Sequence, residues 1–90
     1  MANTNEIQLL LQEWINESKE GSFSNFEEYR NKFGKLEIEI FGIPSRRVIN
    51  PLAMKYDKAR NALVMYSGSR SEKDLQAVLE RFSEIENPEE

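Results

Sequence analysis

The chain contains no cysteine and no histidine. The first absence removes disulfides, thiolate metal sites and cysteine nucleophiles together. Small exported domains commonly need such staples, so a cysteine-free chain of this size points to a reducing, cytoplasmic setting. The second absence removes the Ser-His-Asp triad, the ordinary zinc site and the imidazole pH switch. Carboxylate-pair hydrolysis and lysine Schiff-base chemistry stay open by residue inventory alone. The composition nevertheless reads as non-catalytic, with no cofactor and no metal. Apolar runs are short as well, as at Leu9–Leu11 and Ala62–Tyr66, and neither could cross a bilayer. The opening residues Met1 to Glu6 lack the basic start and apolar run of a signal peptide.

What is present suits a small globular domain. The chain has 90 residues, is 39% hydrophobic and 31% charged, and carries a formal net charge of −4. That length supports one hydrophobic core, so the expectation is a single domain over 1–90, frayed at about 1–4 and 87–90. Charge is uneven along the chain. Residues 1–34 hold three basic and six acidic groups, 35–70 hold seven and three, and 71–90 hold two and seven. The central third is therefore basic between acidic flanks, though far less so than a dedicated nucleic-acid binder.

Periodicity suggests six elements. From Asn5 to Glu20, residues Ile7, Leu10, Leu11, Trp14 and Ile15 form one helical stripe with Leu9 off it. Asn3 and Glu6 resemble a capping box, and Gly21 supplies a stop. A shorter helix is expected from Asn25 to Lys32, opened by Ser24 and Glu27 and closed at Gly34. Lys35 to Phe41 alternates: Leu36, Ile38 and Ile40 against Lys35, Glu37 and Glu39, the pattern of a half-buried strand. Gly42, Pro44 and Ser45 mark a turn. Arg46 to Tyr56 reads as an edge strand interrupted at Pro51, Asp57 to Asn61 as a hairpin loop, and Ala62 to Tyr66 as the most buried strand. A last helix starts at Ser71, capped with Asp74, and carries Leu75, Val78, Leu79, Phe82 and Ile85 on one face; Asn87-Pro88 ends it. The expected fold class is α+β in the order α-α-β-β-β-α. A three-stranded antiparallel sheet has the N- and C-terminal helices packed on one face, and its other face is open.

Four groups of residues stand out as candidate sites. The stretch Tyr66 to Ser71, with Ser69 and Arg70, could hold an anion at a helix start, although a plain Ser71 cap explains it more simply. Arg46 and Arg47 could clamp a phosphate or an acidic partner, and with Lys55, Lys58, Arg60 and Arg70 could form one basic patch. The carboxylates Glu80, Glu84, Glu86, Glu89 and Glu90 read as a solvated helix face. Of the aromatics Phe23, Phe26, Tyr29, Phe33 and Phe41, most belong in a core. Phe23 and Phe41 are the best placed to be exposed, and Phe41 with Glu37 and Glu39 would lie on the open sheet face.

The order helix, three strands, helix resembles double-stranded-RNA-binding domains and the small Alu-RNA-binding subunits of the signal recognition particle. The likeness covers the first helix and Lys35 to Ile85, rests on element order, and would make the second helix an insertion. It implies phosphate contacts. The stretch Ser71-Glu72-Lys73-Asp74-Leu75-Gln76 stands where the RNA-binding domains carry a lysine-rich run.

Two functions follow as expectations. The first is a small protein-binding module, a regulator, inhibitor or assembly subunit. It would act through an open sheet face or edge strand at Glu37, Glu39, Phe41, Arg46 and Arg47, with self-pairing into a homodimer as one mode. The alternative is an RNA- or anion-binding domain using Arg46, Arg47, Lys55, Lys58, Arg60, Ser69 and Arg70.

Overall fold

The computed structural model describes residues 4–43 and 50–86. It contains four α-helices: α1 (Thr4–Lys19), α2 (Phe26–Phe41), α3 (Pro51–Ser69) and α4 (Glu72–Glu86). No strand occurs among the described residues, so the expected α+β architecture is wrong and its three-stranded sheet does not exist. The likeness to the RNA-binding domains falls with it, because that likeness was one of element order. The helices form two compact units, residues Met1–Asn50 and Pro51–Glu90, each a helical hairpin.

In the first unit α1 is close to its expectation. Ile7, Leu11, Trp14 and Ile15 are buried, Leu10 is half-buried, and Leu9 is exposed. The helix stops at Gly21, whose φ of 84° only glycine adopts without strain. The Gly21 N–H donates to the Ser18 carbonyl at 3.0 Å and the Ser22 N–H to the Glu17 carbonyl at 2.9 Å. Together these are the two bonds of a Schellman end. Asn3, the expected cap, lies outside the described residues.

Helix α2 departs from expectation at both ends. It begins at Phe26 after Asn25, which makes no side-chain cap, so Ser24 and Glu27 do not form the expected box. It then runs through Gly34 and takes in the whole of the expected strand Lys35 to Phe41. The reason lies in a longer period. Phe26, Tyr29, Phe33, Leu36, Glu37 and Ile40 fall at i, i+3, i+7, i+10, i+11 and i+14, and all are buried or half-buried. Ile38, expected on the core side of a strand, is 50% exposed. The helix ends at Gly42, with φ 95° and its N–H donating to the Ile38 carbonyl at 2.9 Å.

In the second unit Pro51 is the first residue of α3. There its missing N–H costs nothing and its fixed φ suits the helix. From Pro51 on, the expected edge strand, the Asp57–Asn61 loop and the Ala62–Tyr66 strand are one helix, correcting three expectations together, while the first residues of the edge strand, 46–49, lie outside the described residues. Ala53, Tyr56, Ala59, Leu63 and Tyr66 are buried along one side. Asp57 and Arg60, expected in a hairpin turn, instead form an i, i+3 ion pair at 3.4 Å. Arg70, at a left-handed φ of 57°, and Ser71 make the turn into α4. On α4 the expected stripe holds: Val78, Phe82 and Ile85 are buried, Leu75 and Leu79 half-buried.

Candidate functional site

The aromatic core of the first unit centres on Trp14, fully enclosed at 0% exposure. Phe26 meets it edge-on with centroids 5.2 Å apart, Phe33 is tilted at 5.6 Å, and Tyr29 stacks at 6.5 Å. Phe23 lies 6.0 Å from Phe26 and is half-buried, so the loop aromatic packs onto this cluster. The Tyr29 hydroxyl donates to Glu17 Oε2 at 2.8 Å. That bond, followed by burial and the nearby charges of Glu17, Glu13 and Glu28, pushes the phenol up to about 12. Tyr56 is also pushed up to about 12, by burial. A cleft of 140 Å³ lies beside Tyr29, lined by Leu10, Glu13, Asn25, Glu28 and Lys32. Lys32 pairs with Glu28 at 3.4 Å, so its charges are partly matched internally.

The residues expected on an open sheet face are dispersed by helix geometry. Glu37 is enclosed at 3% exposure, Glu39 is exposed and Phe41 is half-buried at the end of α2. Alternation by two becomes a 200° step on a helix, so neighbours expected on one side diverge. Arg46 and Arg47 lie outside the described residues.

The expected basic patch is also divided. Lys58 is exposed on α3, and Arg60, two residues on, projects almost oppositely, beside Asp57. The Lys55 ammonium donates to the Glu84 carbonyl at 3.5 Å. Arg70 stands about 15 Å further along the helix direction than Arg60, where its Nε–H donates to the Ser67 carbonyl at 3.2 Å. The start of α4 is filled by its own side chains. Ser71 Oγ accepts from the Asp74 N–H at 3.2 Å, the expected cap, and the Ser69 hydroxyl donates to the Asp74 carboxylate. A carboxylate in that first turn already occupies the positive end of the helix.

One surface missed by sequence reasoning is the outward side of α3. Its exposed residues are Pro51, Met54, Lys58, Asn61, Met65, Gly68 and Ser69, and only Lys58 is charged. By contrast, six of the eight exposed residues of α2 and five of the seven on α4 are charged, with α1 between them and α3 at three of eight. Met54 is 49% and Met65 64% exposed. They are separated by three turns, about 16 Å, on nearly the same azimuth. Depletion of charge together with exposed methionine is the signature of the central part of a protein interface. The signal was present in the sequence as the spacing Met54, Lys58, Asn61, Met65, but it is visible only once the segment is read as helix.

Among the described residues no helix is long and apolar enough to cross a membrane, and no group of three or more acidic, histidine or cysteine side chains is placed to hold a metal ion. Comparison with protein-family models, with characterised proteins and with solved structures returns no match.

Proposed function

We propose that this chain is a small non-catalytic protein-binding module, a regulator, inhibitor or assembly subunit, that engages another protein through the outward face of α3. The observation that carries this reading is the near-uncharged stripe holding Met54 and Met65, where the exposed residues of α2 and α4 are mostly charged. The lack of imidazole and thiol supports a binding role over a catalytic one. We place the protein in the cytoplasm, a location supported by the cysteine-free composition. The phosphate-binding alternative lacks comparable support, because Lys58 and Arg60 leave α3 on opposite sides.

The test is capture from the native host with the wild-type chain and with a Met54→Glu, Met65→Glu double variant. Both sites are exposed, so the variant should keep its helical circular dichroism. A specific protein retained by the wild type and released by the variant is the expected result. Equal retention by both would overturn the assignment of this face.

A further inference from the structure

The stripe on α3 has an internal symmetry. Pro51, Met54, Lys58, Asn61, Met65 and Gly68 are spaced 3, 4, 3, 4 and 3, the alternation of a coiled-coil seam. That spacing reads the same in both directions about a point between Ala59 and Arg60. Its chemistry is also paired by the reversal: methionine with methionine, lysine with asparagine, proline with glycine. Resting on the binding role proposed for this face, we infer that the occupant of the stripe is a second copy of the chain, packed antiparallel about a two-fold axis.

Polar complementarity selects that arrangement. A parallel pair would set Lys58 against Lys58 of the other copy, a like-charge contact in the middle of the seam. The antiparallel pair sets each Lys58 beside the other copy's Asn61, whose amide oxygen accepts from the ammonium. Met54 then meets Met65 at both ends, and flexible thioether side chains fill the layer between the helices. Gly68 opposite Pro51 leaves room at each margin. A two-fold contact uses the same patch on both copies, so a stripe that matches its own reversal suits it.

Area sets the strength. The stripe is about 26 Å long on a helix about 10 Å across. A single pair of such faces buries less than the roughly 1,200 Å² at which stable complexes begin. The dimer is therefore weak and concentration-dependent.

Sedimentation of the full chain over about 10 µM to about 1 mM, the range of weak association, reads this directly. The average mass should climb from monomer toward dimer. Asn61→Lys places two lysines in contact and should weaken the dimer about tenfold, whereas Asn61→Glu pairs with Lys58 and should tighten it several-fold. Orientation is tested by mixing Met54→Cys and Met65→Cys chains, which carry no other thiol, under mild oxidation. Mixed disulfides should dominate in the antiparallel pair. A constant monomer mass, a dimer indifferent to both Asn61 changes, or predominance of like-with-like disulfides would each overturn the proposal. A monomer that still captures a host protein through Met54 and Met65 would reject the second copy and leave the binding role standing.

Discussion

The Tyr29 hydroxyl reaches across the first hairpin to the Glu17 carboxylate at 2.8 Å, tying the first turn of α2 to the last turn of α1. The bond holds the phenol in its protonated form. Tyr56, enclosed within the second unit, is held in the same form by burial.

Both phenols rise from 10.0 to about 12. The folded chain thus keeps two protons that the unfolded chain releases above its ordinary value. The stability they contribute is fully present below pH 10 and is lost as pH rises toward 12. Urea midpoints should fall across that window. A tyrosinate absorbance titration should show late-ionising phenols, and Tyr29→Phe and Tyr56→Phe should each remove one. A titration in which all tyrosines ionise at the ordinary value would contradict the geometry of both.

Two glycines that look alike in sequence should respond oppositely to alanine. Gly21 has a φ of 84°, where a side chain is strained, and Gly21→Ala should cost about 1 kcal/mol. Gly34 lies inside α2, with open space where a Cβ would sit and no positive φ. Gly34→Ala should therefore stabilise by roughly 0.5–1 kcal/mol. Thermal melts of the two variants compare the signs, and a destabilised Gly34→Ala would mean α2 does not continue through that position.

Trp14 Nε1 and Ser18 Oγ are buried with no hydrogen-bond partner among the described residues. Their substitutions separate packing from polarity. Ser18→Ala removes an unsatisfied hydroxyl and improves helix propensity, so it should be neutral or stabilising by up to about 1 kcal/mol. Trp14→Ala empties the centre of the aromatic cluster and should cost about 3–5 kcal/mol, a large share of the roughly 5–15 kcal/mol that holds a domain together. Denaturant unfolding measures both. A destabilising Ser18→Ala would show that the hydroxyl has a partner.

The ends of the chain were more legible than its middle. Helices α1 and α4 announce themselves through long unbroken stripes, and the Gly21 stop and the Ser71 cap are local chemistry that nothing distant overrides. The middle misled for physical reasons. In Lys35 to Phe41 the residues happen to alternate, and Gly34 looks like a terminator; only the phase carried forward from Phe26, Tyr29 and Phe33 reveals a helix. In α3 apolar side chains surround the axis nearly all the way round, so no stripe stands out and the short run Ala62–Tyr66 imitates a buried strand. Pro51 was read as a flaw in a strand when it is the opening residue of a helix. The candidate surface was hidden by the same error. At the start of α4 the simpler of the two readings, a cap by Ser71, is present, and Glu80, Glu84 and Glu86 are exposed along that helix.

The turn at Arg70 and Ser71 joins two long helices through two residues. A connection that brief leaves little chain to close before the Tyr56 and Val78 faces can collapse, and pairing then spreads outward from the turn within one hairpin. The entropic barrier to pairing these helices is accordingly low. The Pro51–Glu90 unit belongs with topologies that reach their native pairing in microseconds to milliseconds, well ahead of the slower sheet-forming folds of similar length.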